Sequence, residues 1–293
     1  MKKREIKLLI TGLLFLAPNI VGFLVFVFLP IIASFCISFT EWDILTPPRF
    51  IGLSNYIKLI QDKDFWYYLY NTLFFMLGIP IGMAFSLFLA VLVNQKLKGI
   101  IIFRTIYFLP VISSMVACAL VWRWIYNADF GLLNSFLRMV GVKDPPAWLA
   151  STTWAKPALI IMGIWNGAGY NMLLYLAALQ SIPEELYEAA SIDGANAWQK
   201  FIHITLPGLN FVNFFIIIMS IIGGFQTFGI QYVMTGGGPA GATTTIVYYI
   251  YNNAYQWFKM GYAAAIAWVL ALLMLGATLL QWRMGKERIV MHY

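Results

Sequence analysis

Apolar residues in this 293-residue chain gather into six long runs separated by shorter polar stretches. They cover Leu8–Phe39, Tyr67–Val93, Ile102–Tyr126, Pro157–Leu179, Leu206–Ile230 and Met260–Met284. About 20 apolar residues carry a helix across a bilayer, so each run is long enough to span. The pattern predicts an all-α, polytopic membrane protein with six transmembrane helices, forming one domain over residues 1–293. The first run exceeds what a crossing needs, which predicts tilt, a kink near Pro18, or continuation beyond the lipid. Pro80 and Pro110 fall inside spans, where neighbouring helices can satisfy the carbonyls that a proline frees. Gly163, Gly167 and Gly169 in the fourth run allow close helix contact.

Composition agrees with this reading. The chain is 61% hydrophobic and 11% charged, against about 25% charged in soluble proteins. Its net charge of +7 is explained by the flanks of the spans and lends little support to nucleic-acid binding. Cys36 and Cys118 lie in apolar runs and read as packing residues, not as a disulfide or metal pair. His203 and His292 show no metal-ligand spacing. The first run is too long for the apolar core of a cleaved signal and contains Pro18 and Pro30.

Lysine and arginine set the orientation. With the N-terminus inside, the inner segments hold Lys2, Lys3, Arg4, Lys7, Lys96, Lys98, Arg104, Lys200, Arg283, Lys286 and Arg288. The outer segments are longer and hold fewer: Arg49, Lys58, Lys63, Arg123, Arg138, Lys143, Lys156 and Lys259. Both termini and the loop around Glu188 are therefore expected on the cytoplasmic side. The outer loops Thr40–Trp66 and Asn127–Lys156, with Trp42, Trp148, Trp154 and paired prolines, are expected to be ordered and to hug the interface.

The loop at about 181–206 differs from an ordinary connection. It predicts two helical pieces split by Gly194, with Glu184, Glu185 and Glu188 favouring the positive end of the first. Ser181 and Glu184 fit a capping box, and Pro183 suits a first turn. Ala189, Ala190 and Ile192 leave a small, smooth surface that another protein could grip. The alternative is an amphipathic helix on the lipid surface. Such helices are rich in Lys and Arg, whereas Lys200 is the only Lys or Arg between Glu184 and Pro207.

Several chemistries are missing from the sequence. It contains no GxxxxGK[ST] phosphate loop. Gly236-Gly237-Gly238-Pro239 has no following lysine and reads equally as a turn or as a place where a partner approaches closely. No acid lies in any of the six runs, where proton-coupled pumps usually carry one; sodium coupling through carbonyls stays open. A secondary solute transporter, the main alternative, would also need an internal repeat. An integral-membrane enzyme would need clustered His or acids near one interface. Neither pattern is found, so the energy for transport is expected from another subunit. Substrate contacts would then come from neutral polar and aromatic groups. The fourth run offers Asn166, Tyr170 and Asn171 beside Trp165. The fifth offers Gln226, Thr227 and Gln231 around Gly223 and Gly224. Sugars suit such groups, because hydroxyls pair with amides and C–H faces stack on rings. Hydrogen bonding between helices would explain the same residues.

Glu188-Ala189-Ala190, Gly194, Ile204, Leu206 and Pro207 fall at the spacing of the EAA signature. On those residues the chain resembles the membrane subunits of binding-protein-dependent ABC importers. PEELYEAASIDGANAWQKFIHITLP, FRTIYFLP (Phe103–Pro110) and MTGGGPAGATTTIVYYIY (Met234–Tyr251) are similar to the carbohydrate branch, specifically the maltose-type first membrane subunit. The resemblance runs from about Leu13 to the last span. It implies a type I ABC importer permease fold in a bacterial or archaeal cell membrane. It also implies that the two helices of the loop couple to a groove on a separate ATPase. The implied partners are a second permease, a cytoplasmic ABC ATPase dimer that holds ATP and Mg, an extracytoplasmic solute-binding protein, and a sugar or oligosaccharide. No cofactor or catalytic group is implied on this chain. Tyr170 falls where the maltose-type subunit has a sugar-contacting tyrosine. Gly223, Gly224 and Thr227 fall where it has a phenylalanine and two asparagines. Only Tyr170 keeps the residue type, so the resemblance implies where the sugar sits but not which sugar it is.

Overall fold

The structure, a computed structural model, describes residues 3–95 and 98–290, with side chains over 11–95 and 98–284. Lys2, Lys96 and His292 lie outside the described residues, and so do the side chains of Lys3, Arg4, Lys7, Lys286 and Arg288. Helices make up 75% of it. Among the described residues the one β pairing is antiparallel, Thr40 opposite Phe50 and Glu41 opposite Arg49. Among the described residues four helical segments are long and apolar enough to cross a membrane: Thr11–Ser38, Lys63–Val93, Ala155–Ser181 and Met260–Met284. Two bent pairs raise the number to six when each pair is one span. The chain forms two compact units, Met1–Asp62 with Ile250–Val269, and Lys63–Tyr249 with Leu270–Tyr293.

In the first unit, the opening helix runs through Pro18 unbroken. Its irregularity lies further on, so the kink expected near Pro18 is displaced. A wide π turn spans Leu24–Phe28, with the Leu29 N–H reaching back to the Leu24 carbonyl. Pro30 explains it. A proline ring crowds the carbonyl four residues back, and one wider turn relieves that crowding. The helix ends at Ser38, where the Asn55 side chain donates to the Ser38 and Thr40 carbonyls, both at 2.9 Å. These are helix-end groups that would otherwise lack partners. The last helix starts beside them, its Met260 N–H donating to the Trp42 carbonyl at 2.9 Å. An added Cβ at Gly261 would overlap the Thr40 carbonyl.

In the second unit, Lys63–Val93 and Ala155–Ser181 lie side by side and parallel. An added Cβ on Gly78 would lie 2.9 Å from Ile160, and one on Gly82 would lie 3.6 Å from Ile164. The same offset, one turn earlier, sets Phe74 against Lys156, whose ammonium lies 5.0 Å from the Phe74 ring centre and 4.9 Å from that of Tyr70. In lipid the hydrophobic effect gives helices little reason to associate, so close packing through small residues does that work. A third helix, Ile100–Ile112, crosses at Gly169, where a Cβ would overlap the Tyr107 carbonyl. Below, Met172, Tyr175, Leu209 and Ile216 are fully buried, and the Tyr175 hydroxyl donates to Asn213 at 2.7 Å.

Two expected spans are corrected. Ile102–Tyr126 is not one straight helix: Ile100–Ile112 and Met115–Ile125 meet at 100°. Ser113 and Ser114 are extended, and the Ser113 hydroxyl takes the Leu109 carbonyl that a continuing helix would have given to a backbone N–H. Leu206–Ile230 bends by 62° at Leu209 and stops at Phe225. The Gln226 N–H folds back onto the Ile222 and Gly223 carbonyls after a pair of weak helix formers, Gly223 and Gly224. The glycine-rich stretch that follows is an internal turn. The buried Asn71 amide donates to the Gly241 and Thr244 carbonyls, and the hydroxyls of Thr243 and Thr244 donate to those of Gly238 and Gly237. The loop Asn127–Lys156 is held around Asn134, which donates to Ala128 and Pro146 and accepts from the Trp148 ring N–H.

Gly169→Ala pushes a methyl into backbone that cannot move cheaply, and is expected to cost about 3 kcal/mol. Gly163→Ala, where a Cβ meets nothing within 4 Å, is expected to be near neutral. Thermal unfolding of the two detergent-solubilised variants checks the contrast.

Candidate functional site

The second unit encloses a cavity of about 500 Å³. It exists because glycine faces it. Gly163, Gly167 and Gly223 line it, and a Cβ at any of them would meet nothing within 4 Å. Its walls come from three places: Phe75 to Ser86, Leu159 to Asn171, and Ser220 to Gln231. Of the residues singled out in the sequence, Asn166, Asn171, Gly223, Gly224, Thr227 and Gln231 line it together. Tyr170 and Gln226 do not. Tyr170 sits four residues beyond Asn166 but outside the lining, and it is 48% exposed. Gln226 is exposed at the helix end while its neighbour Thr227 turns inward.

The polar groups differ in what they have left to offer. Asn166 is partly committed, donating to the Pro110 carbonyl at 3.1 Å near the end of the crossing helix. Thr227 and the buried Gln231 hold each other: the hydroxyl donates to Oε1 at 3.2 Å and accepts from Nε2 at 3.1 Å. The Thr245 hydroxyl fixes the Thr227 carbonyl at 2.7 Å. Among the described residues, no side-chain hydrogen bond engages Asn171. None of the lining side chains is charged. Such a chamber offers amides and hydroxyls against an apolar wall, which suits a neutral, hydroxyl-bearing ligand. Gly78, Gly82 and Ser86 were missed in the sequence, although their spacing of four small residues down one face was a readable signal.

The loop after Ser181 forms the second candidate site. Helix Glu184–Ile192 carries Glu184 and Glu185 in its first turn, as expected. The capping box does not form at Ser181: its hydroxyl donates back to the Ala178 carbonyl, and Pro183 is the cap. The box belongs to the second piece, where the Asn196 side chain accepts from the Gln199 N–H and Gln199 accepts from the Asn196 N–H. Between them, Gly194 has φ +79°. The Ala195 N–H reaches the Ala190 carbonyl and the Gly194 N–H reaches that of Ser191, a Schellman closure that a left-handed glycine allows. Lys200 ties the pieces by donating to Ser191 at 2.6 Å, and Tyr187 pairs with Thr205 at 3.0 Å. A groove of about 300 Å³ runs past Ala190, Gly194 and Ile204. Glu188 and Ala189 are exposed, Ile192 is 87% exposed and Trp198 68%. Leu206 and Pro207 repeat the arrangement at Leu29 and Pro30: a π turn over Phe201–Thr205 precedes the proline, with the Leu206 N–H on the Phe201 carbonyl.

The model of the family described as "binding-protein-dependent transport system inner membrane component" matches residues 68–285. A probable ABC transporter permease of Bacillus subtilis is 40% identical over 266 residues, covering 89% of this chain and 85% of that one. The lactose transport system permease of Rhizobium radiobacter is 38% identical over 286 residues, covering 95% of each. Among solved structures, a chain of the bacterial alginate ABC transporter, in complex with an alginate pentasaccharide-bound periplasmic protein, superposes with TM-score 0.84 at 26% identity, covering 97% of this chain and 96% of that one.

Gln231→Leu strands the Thr227 hydroxyl in a buried wall and is expected to cost about 1–3 kcal/mol. Thr227→Val added to it is expected to restore part of that loss, giving a non-additive cycle in thermal unfolding.

Proposed function

The chain belongs to the family of binding-protein-dependent transport system inner membrane components, and on that premise we propose that its cavity is the solute site of a sugar or oligosaccharide importer. It is a multi-pass membrane protein and a permease subunit, not an enzyme. The observation that carries the substrate class is the uncharged, glycine-hollowed chamber with Asn171, Thr227 and Gln231 on its walls. The lactose permease among its relatives supports a carbohydrate. Secondary transport finds no support among these relatives.

A second permease of the same kind completes the path in this proposal. Tyr170, exposed and outside the chamber's lining, is then available to a sugar held between the two subunits. A solute-binding protein delivers from outside in this proposal, which the complex of the alginate transporter with a pentasaccharide-bound periplasmic protein supports. Both termini face the cytoplasm. There Glu188, Ala189, Ala190, Gly194, Ile204, Leu206 and Pro207 form the surface that sits on an ATPase dimer carrying ATP and Mg. Exposed Ile192 and Trp198 suit a protein groove, and the Schellman closure and capping box keep the two short helices rigid. Closure of the ATPases would push this rigid piece and turn the path outward.

Gly194→Val forces a branched residue to φ +79° without meeting a neighbour, so the loop distorts while the spans insert. Uptake in vesicles holding the full complex is expected to fall by about tenfold or more, with less ATPase co-purifying; Glu188→Lys should act in the same direction. Normal uptake in both removes the loop from coupling. For the chamber, Asn171→Ala is expected to raise the sugar concentration for half-maximal ATPase stimulation by about tenfold. An unchanged value in a sugar panel that does stimulate the wild-type complex would place the solute elsewhere.

A further inference from the structure

The first unit holds a cavity of about 480 Å³ that no transport step uses. Arg49, Lys58 and Lys259 line it. Two of these cations rest on aromatic faces. The Lys58 ammonium lies 4.9 Å from the ring centre of Tyr262, and that of Lys259 lies 5.5 Å from the Trp257 ring. The rings are themselves held: the Tyr262 hydroxyl donates to the Asp62 carboxylate in a short hydrogen bond. Cations supported in this way lose less freedom when an anion arrives. The lining acids are Glu41 and Asp43. Asp43 is occupied by its own turn, accepting from the Thr46 N–H at 2.8 Å and from its hydroxyl at 2.7 Å, and these bonds hold the Asp43 carboxyl below its usual range. Within the lining the cations outnumber the acids by three to two, and Asp62, behind Tyr262, is engaged by the Tyr262 hydroxyl.

The cavity's place in this unit indicates the anion. It lies where two apolar helices end together, just past Ser38 and just before Met260. Lower on the first helix, Ile31, Ile32 and Phe35 are exposed. Trp42, Pro47, Trp257 and Phe258 line the cavity beside the cations, and Trp257 and Phe258 are exposed. An aromatic and apolar rim with basic groups inside is the chemistry of the headgroup layer. An acidic protein segment would satisfy the cations but would not need so apolar a rim.

We propose that this cavity binds the phosphate of an anionic phospholipid, with acyl chains lying along Ile31, Ile32 and Phe35. Lys58 and Lys259 would donate to the phosphate oxygens, Arg49 would close over them, and Trp257 would sit at the glycerol level. On the orientation proposed above, the lipid belongs to the outer leaflet.

The test uses the full chain in its complex. It is reconstituted into bilayers of phosphatidylcholine alone, or of equal parts phosphatidylcholine and phosphatidylglycerol, and retained lipid is read by native mass spectrometry. Wild type should retain phosphatidylglycerol in preference to phosphatidylcholine. The double variant Lys58→Gln/Lys259→Gln should lose that preference by about tenfold or more, and Lys58→Arg/Lys259→Arg should recover it. Equal retention of the two lipids by wild type, or unchanged retention by the glutamine variant, overturns the proposal. So does displacement of the lipid by dissolved inorganic phosphate, which would make this a free-anion site. If the glutamine variant keeps its lipid and instead loses the solute-binding protein, the cavity is a protein dock and the lipid assignment is wrong.

Discussion

Inside a bilayer, apolar side chains gain nothing by leaving lipid for one another, so this fold depends on how closely backbones can approach. Glycine sets that distance between Lys63–Val93 and Ala155–Ser181. Where Gly78 and Gly82 face Ile160 and Ile164, the missing side chains let the helices touch. Where Gly163 and Gly167 face nothing, the same lack of a side chain leaves a chamber. One residue type thus both fastens the seam and hollows it, and which effect prevails depends on what stands opposite. The crossing helix packs directly on Gly169, where no Cβ fits.

Much of this was legible in the sequence. Run length alone located the membrane-crossing segments, because the need to pair every backbone group within the lipid leaves few alternatives to a helix. Polar residues in apolar runs pointed to the chamber, and six of the eight named residues meet there. The failures share a physical cause. The 100° bend at Ser113–Ser114 rests on one hydroxyl taking a neighbouring carbonyl, and no apolar pattern records that choice. Ser181 is still part of the long helix before the loop, where its hydroxyl donates back to the Ala178 carbonyl, so it does not cap the next helix. Pro18 and Pro30 look alike in a string of letters, yet only the second is preceded by a widened turn. Tyr170 does not line the chamber although Asn166 and Asn171 on either side of it do, because each residue along a helix turns its side chain to a different direction.

The loop beneath the spans shows a different use of local rules. Its two helices are too short to persist unaided. They are held by a closure at Gly194, a cap at Asn196 and cross-bonds from Lys200 and Tyr187. None of these needs a buried core, which leaves the outer surface free to remain apolar at Ile192 and Trp198. A wide turn ahead of Pro207 joins the stretch to the membrane segment.

The absence of charge on the chamber's walls has an electrical consequence. A charge carried across a membrane works with or against the potential by about 2.3 kcal/mol for every 100 mV. Walls made of glycine, amide and hydroxyl groups carry no net charge through that field when they move. Moving those walls alone therefore does no electrical work against the potential.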